Sequence, residues 1–141
     1  MKLCIRGLLF VGALLSVATL LSAATLEKQG KDWLAQYKDP AQVNVSGTWG
    51  SDLGVLQLDQ AKDGRDVTGS GGGFELNGVV SGRTLYLLFS KNGTIGFCAE
   101  VTANSDTNLM GEYQYRLSHL RFGAGSGVCQ TKGFRLNMTK R

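Results

Sequence analysis

The residues of this chain that could carry out nucleophilic chemistry are few: two of its three cysteines, Cys98 and Cys129, and a lone histidine, His119. The third cysteine, Cys4, lies in the N-terminal segment 1–24, which is interpreted below as a signal peptide. A nucleophile needs a base within hydrogen-bond reach, so one hypothesis is a reactive thiol activated by His119. The alternative is a disulfide that closes a loop of about 30 residues, worth roughly 3–4 kcal/mol on the chain-entropy model. Two cysteines in an exported chain favour the Cys98–Cys129 disulfide. We therefore expect a protein without enzymatic activity.

Metal and phosphate chemistry is not indicated. Asp52, Asp59, Asp63 and Asp66 lie close together in sequence, but their spacing does not match a calcium loop. Zinc requires three or four clustered cysteine or histidine ligands, which the chain lacks. The glycine-rich stretch 123–127 has neither the Gly-Lys-Ser/Thr sequence nor the βαβ setting of a phosphate loop. We expect no cofactor and no metal, and we interpret residues 123–127 as a surface loop.

Residues 1–24 have the pattern of a secretory signal peptide. Lys2 and Arg6 precede an apolar run of roughly 15 residues, shorter than the ~20 that span a bilayer, and Ser22-Ala23-Ala24 resembles a cleavage site. A retained membrane anchor is the alternative. Without Lys2 and Arg6, 13 of the 15 basic residues remain against 11 acidic ones, a net charge near +2. We expect a secreted or periplasmic protein with no membrane span and no nucleic-acid partner.

The segment 25–42 has a helical pattern that differs from the rest of the chain. Its apolar residues recur at helical spacing among charged ones, and Pro40 ends the pattern. These apolar residues are Leu26, Trp33, Leu34 and Tyr37. We predict a short N-terminal helical segment that either caps one end of the following domain or lies as an arm.

From residue 43 to 141 apolar and polar residues alternate with a period of two. The alternating segments recur at intervals of about ten residues, and Asn92-Gly93 is the clearest hairpin turn. The connections leave no room for crossover helices, so neighbouring strands must pair antiparallel. We predict an all-β domain, an antiparallel up-and-down barrel of about eight short strands; an open sandwich is the alternative. The alternation puts Ile95, Phe97 and Ala99 on one face.

The inward positions of the predicted barrel are apolar and aromatic, and we expect them to hold a small apolar or amphipathic ligand. These positions are Leu87, Phe89, Phe97, Tyr113 and Tyr115. A barrel of about eight strands can also be filled by its own side chains. In that case the alternative is an interaction protein, such as a periplasmic inhibitor of a secreted hydrolase. Its protein partner would contact the loop 123–127 and the N-terminal segment. Association into a homo-oligomer is left open.

The first predicted hairpins carry a family resemblance. Ser46-Gly47-Thr48-Trp49, followed by Asp52-Leu53-Gly54, resembles the first strand of the avidin and streptavidin family of biotin-binding barrels. Lys62-Asp63-Gly64 leading into Val67-Thr68-Gly69 is similar to that family's next hairpin. The resemblance implies a barrel whose first strand presents a polar side chain to the ligand, and Ser51 occupies that position.

Other biotin contacts of the family have no counterpart. Val55 has no hydrogen-bonding side chain, Gly69-Ser70-Gly71 stands where the family has a tyrosine, and no tryptophan follows Trp49. We therefore expect an avidin-like barrel without the biotin site. The family alternation also puts Val55 inside, whereas the following residues require Leu56 inside. A turn or bulge at Gly54 is predicted to reconcile the two patterns.

The wider calycin group shares a Gly-x-Trp at the start of the barrel, which packs against a basic residue near the end. By this resemblance Trp49 has a structural role and contacts Arg135, which follows Phe134. The contact would be a cation–π interaction of about 0.5–2 kcal/mol.

Overall fold

The computed structural model describes residues 27–115 and 133–141, which form one short helix and eight strands. Each strand pairs antiparallel with the next and the last pairs with the first, so the sheet closes into an up-and-down barrel. This confirms the predicted fold class, and closure excludes the open sandwich. The helix α1 covers residues 27–35. The strands are β1 (Gly47–Ser51), β2 (Gly54–Gln60), β3 (Asp66–Gly71), β4 (Phe74–Ser81), β5 (Thr84–Lys91), β6 (Thr94–Ser105), β7 (Asn108–Tyr115) and β8 (Phe134–Lys140).

The hairpin turn at Asn92-Gly93 has the predicted form. Asn92 and Gly93 have φ angles of 52° and 78°, the left-handed pair that a type I′ turn requires. The turn joins β5 to β6. Asparagine and glycine adopt this conformation at low cost, which is why the turn could be predicted from its sequence alone.

The first hairpin contains the change of phase that was predicted at Gly54. A two-residue turn ends there, with Ser51 paired with Gly54, and Trp49 is then paired with Leu56. Both of these large side chains are buried, whereas Val55 is 44% exposed on the outer face. The family-based placement of Val55 inside the barrel is therefore wrong, because the turn reverses the alternation.

The inward-facing side chains of all eight strands form one apolar cluster. Each of its buried members is between 0% and 7% exposed. Burying one such leucine or phenylalanine contributes about 1.5–3 kcal/mol, so this interior is the main stabilising element of the fold. The cluster consists of Val45, Trp49, Leu56, Leu58, Val67, Leu76, Val80, Leu85, Leu87, Phe89, Ala99, Val101, Ala103, Leu109, Leu136 and Met138.

Two inward-facing glycines let neighbouring strands approach closely. A Cβ atom at Gly78 would collide with the carbonyl oxygen of Tyr86, and one at Gly111 with that of Glu100. Glycine at such positions is typical of strands that bend sharply. The sheet can therefore curl tightly enough to close.

Helix α1 lies against the outer wall of the barrel. Trp33 from the helix packs with Leu88, Ile95 and Cys98 in a second apolar cluster, separate from the interior. Gly30 makes this approach possible, because a Cβ there would lie 2.6 Å from Cδ1 of Ile95. The helical segment is thus packed along the barrel, and the residues that follow it cross one barrel end.

A β-bulge explains why Ile95 belongs to the outer cluster. In the pairing of β5 with β6, Phe97 lies opposite Phe89 but Ile95 lies opposite Ser90, so Gly96 is an extra residue. The bulge reverses the alternation between Ile95 and Phe97. The prediction that Ile95 shares the inner face with Phe97 is therefore wrong.

The end of the barrel that contains Trp49 is closed by the chain before β1. Val45 is fully buried there, and its carbonyl accepts a 2.8 Å hydrogen bond from Nε1 of Trp49. Oε1 of Gln60 accepts a bond from the N–H of Val45, and its Nε2 donates to the carbonyls of Val43 and Gly64. One glutamine side chain therefore satisfies three backbone groups of this closure. We call this the closed end.

The basic residue beside Trp49 is Lys140. Its Nζ lies 5.8 Å from the centroid of the Trp49 ring, and the two residues are paired across β1 and β8. Arg135 lies five residues away on β8, exposed and opposite Glu112. Trp49 is thus buried at the closed end with Lys140 beside its ring, whereas Arg135, expected there from the resemblance, lies elsewhere on β8.

Candidate ligand-binding site

Five aromatic rings lie together at the end of the barrel opposite the closed end. Phe97 contacts Phe74 at 4.9 Å between ring centroids, Phe89 at 6.2 Å and Tyr113 at 6.3 Å, and Tyr113 contacts Phe134 at 5.6 Å. All but the Tyr113–Phe134 pair meet edge to face, a geometry worth about 0.5–1.5 kcal/mol per pair. We call this group the aromatic end.

Strand register brings these rings together. Phe74 is the first residue of β4 and Phe134 the first of β8, whereas Phe89 and Tyr113 lie near the ends of β5 and β7. Because neighbouring strands are antiparallel, the first residues of one strand and the last residues of the next lie at the same end of the barrel. Phe89 pairs with Phe97, and Tyr113 pairs with Phe134. The rings thus lie on the inner face of the sheet, at or near the ends of their strands.

The aromatic end is graded from core to solvent. Phe89 is fully buried, and Phe74, Phe97 and Tyr113 are partly buried against the interior cluster. Phe134 is 55% exposed. The rings therefore form a continuous apolar path from the packed interior to the surface.

The predicted ligand-contacting residues all lie towards this end, but their surroundings differ. Phe89, Phe97 and Tyr113 belong to the aromatic end, and Tyr115 ends β7 opposite Phe97. Leu87 lies one inward position deeper and is fully buried.

The hydroxyl of Ser51 is engaged within its own hairpin. It donates to the carbonyl of Gly54 at 2.7 Å and accepts from the N–H of Leu53 at 3.1 Å. The same group that the family resemblance assigns to a ligand therefore stabilises the first turn.

Phe74 and Phe134 were not predicted as site residues. The period-two alternation put them on the same face as Leu76 and Leu136, but only the register across the five strands β4 to β8 shows that they meet Phe97 and Tyr113. A glycine-rich stretch directly before Phe74 was the available sequence signal, because it marks a turn at a barrel end.

Several predicted elements lie outside the described residues. They are the segment 1–24, His119, the loop 123–127 and Cys129. Cys98 is fully buried in the outer cluster with Trp33. The pairing of Cys98 with Cys129 stays a prediction.

Within residues 27–115 and 133–141, no group of three or more histidine, cysteine or acidic residues is placed to hold a metal ion. The helix in this part of the chain is too short and too polar to cross a bilayer. No protein-family description matches the chain, and no curated protein or solved structure is significantly similar to it.

Proposed function

We propose that this protein is an exported, non-enzymatic barrel of the avidin-like or calycin type, which binds a small apolar or amphipathic ligand at its aromatic end. The observation that carries the proposal is the continuous set of rings from fully buried Phe89 to half-exposed Phe134. Ligand sites are typically concave apolar surfaces with a few polar groups. The hydroxyl of Tyr113 is the polar group within this set.

The ligand would lie on the rings and not deep in the barrel. Leu87 and Phe89 are fully buried by their neighbours in the interior cluster, so a ligand at their depth would have to displace packed side chains. Phe134 is 55% exposed and Phe97 and Tyr113 are only partly buried, so these rings lie nearer the surface than Leu87 and Phe89. The proposed site therefore lies nearer the surface than the inward positions, including Leu87 and Phe89, that were expected from the sequence to contact the ligand.

A second candidate is an interaction protein, such as a periplasmic inhibitor of a secreted hydrolase. It is favoured by the exposure of Phe134, since aromatic side chains are enriched in protein interfaces. The connection that contains residues 123–127 begins and ends at the same barrel end as Phe134.

Export and the Cys98–Cys129 disulfide are part of the proposal. The cysteine pairing is supported by the full burial of Cys98 against Trp33, where a reactive thiol would be inaccessible. Mass spectrometry after alkylation in denaturant, with and without reduction, measures the pairing directly. Two alkylated thiols in the unreduced mature protein would contradict it.

The ligand proposal is tested with mature protein that begins after residue 24. Native mass spectrometry would reveal a copurified ligand, and fluorescence titration with the neutral probe N-phenylnaphthylamine measures apolar binding. Phe134→Ala should weaken probe binding about tenfold, since truncation removes most of one aromatic contact surface. Met110→Ala is the matched control, because Met110 is a large apolar residue that is 41% exposed on the outer face.

Equal effects of the two substitutions, or no probe binding and no copurified mass, would contradict the ligand proposal. The second candidate instead requires a protein partner whose capture is lost in Phe134→Ala and retained in Met110→Ala.

A further inference from the structure

A groove of about 620 Å³ runs along the outer wall of the barrel beside α1. One side is formed by α1, including Leu34, and the other by outward residues of β3 and β4. Its volume lies in the range of small-molecule sites, about 300–1,000 Å³. The groove is separate from the aromatic end, none of whose five rings lines it.

The floor of the groove is apolar, although it lies on the outside of a barrel. Val79, Leu88 and Ile95 face outward here and are 4%, 4% and 7% exposed. Leu88 and Ile95 also support α1, but Val79 belongs to neither apolar cluster of the protein. All three floor residues are almost completely covered by their neighbours, and the partly exposed Leu34 of α1 adds apolar surface beside them.

The basic groups of the groove are engaged within the protein. Lys31 forms an ion pair with Glu27 at 3.4 Å on α1. Arg65 donates to the carbonyl of Tyr37 at 2.7 Å and to that of Leu34 at 3.4 Å, and its Nε lies 3.7 Å from Asp66. Arg65 thus holds the end of α1 to the barrel.

One acidic group in the groove is not engaged in this way. Glu75 is exposed at the start of β4, and among the described residues its carboxylate has neither an ion pair nor a hydrogen bond. With Glu27 and Asp66 matched to Lys31 and Arg65, the remaining charge of the groove is the negative charge of Glu75. An apolar floor beside one available carboxylate is complementary to a cation with an apolar body.

We propose that this groove is a second binding site, for a small amphipathic cation such as an alkylammonium. The apolar body lies against the partly exposed Leu34 and above Val79, and the ammonium group contacts the carboxylate of Glu75. The site would function whether or not the aromatic end binds a ligand.

The proposal is tested by calorimetric titration of the mature protein with octylammonium, butylammonium, octanol and octyl sulfate, each below its micelle concentration. Octylammonium should bind at least about tenfold more tightly than butylammonium, because each buried methylene group adds to the affinity. Glu75→Gln should weaken octylammonium binding about threefold to fivefold, as expected for an ion pair near the surface, and leave octanol binding unchanged.

Two controls make the test specific. Asp59→Asn removes another exposed carboxylate, on the outer face of β2 and outside the groove, and should change nothing. Phe134→Ala should leave the Glu75-dependent part of octylammonium binding intact, which distinguishes this site from the aromatic end.

The proposal is overturned if octyl sulfate binds as tightly as octylammonium, if Glu75→Gln and Asp59→Asn have the same effect, or if Phe134→Ala abolishes binding.

Discussion

The carboxylate of Asp52 accepts a 3.0 Å hydrogen bond from the backbone N–H of Asn137, so the first hairpin turn is attached directly to the last strand. The strands β1 and β8 pair over only three residues, from Trp49–Lys140 to Ser51–Met138. Asp52 lies one residue beyond this short ladder and extends it with a side chain. The seam at which the barrel closes therefore depends on a residue that sequence patterns identify only as a turn former.

Substitution of Asp52 should loosen this seam. We expect Asp52→Ala to lower the free energy of unfolding by about 0.5–1.5 kcal/mol, the usual net contribution of one hydrogen bond. Asp52→Asn keeps a carbonyl acceptor and should lose less. Urea denaturation measures both, with Asp59→Ala as a control for loss of an exposed carboxylate. A loss in Asp59→Ala as large as in Asp52→Ala would contradict the role of Asp52.

Lys140 and Arg135 should differ in their effects on stability. Lys140→Gln removes the cation over the Trp49 ring and should cost about 0.5–1 kcal/mol. Arg135→Gln alters an exposed residue opposite Glu112 and should stay within about 0.5 kcal/mol of the native protein. Thermal unfolding of the two variants decides between them. A larger loss of stability in Arg135→Gln than in Lys140→Gln would instead support the contact between Arg135 and Trp49 that the calycin resemblance implies.

Gly30 should be intolerant of a large side chain, although it lies in a helix. Leucine is normally a better helix former than glycine, but a Cβ at residue 30 meets Ile95 at 2.6 Å and Leu88 at 2.9 Å. We expect Gly30→Leu to destabilise the protein by about 1–3 kcal/mol through overpacking. Ala35→Leu, at an exposed position of the same helix, should be close to neutral in urea denaturation. A stabilised Gly30→Leu variant would show that α1 does not pack as described.

The stacked pair Tyr37 and Tyr86 should make the protein sensitive to alkali. Their ring centroids are 3.5 Å apart, and burial, with a smaller effect of Glu100, raises the pKa of each above 10.0. Because the unfolded phenols ionise first, this contribution to stability is complete below about pH 10 and is lost as the pH rises further.

The free energy of unfolding should therefore decline above about pH 10, as measured by urea denaturation across the alkaline range. Glu100→Gln should make the decline shallower, and Glu75→Gln, which is not among the causes of either shift, should not. An identical decline in all three proteins would contradict the effect of Glu100.

The barrel could be predicted from the sequence because its signals are local. The period-two alternation, the Asn92-Gly93 turn and the helical spacing around Trp33 each depend on a few neighbouring residues. That Lys140 and not Arg135 lies beside Trp49 could not be predicted, since the register of β8 against β1 is determined only when the barrel closes.

The candidate sites also combine features that local sequence signals predict with features that depend on strand register. Alternation identified Phe89, Phe97 and Tyr113 as inward-facing, but Phe134 joins them through pairing across the sheet. The outer groove was not foreseen, because its floor includes Ile95, which the bulge at Gly96 turns outward.

That bulge has a consequence for how the protein can change. Ile95 and Phe97 flank Gly96 and belong to the two different surfaces proposed to bind ligands, the groove beside α1 and the aromatic end. An insertion, a deletion or a bulky substitution at Gly96 would act on both surfaces at once. The recognition properties of the two surfaces are thus linked through one residue, and a lineage could not freely remodel one at this point without affecting the other.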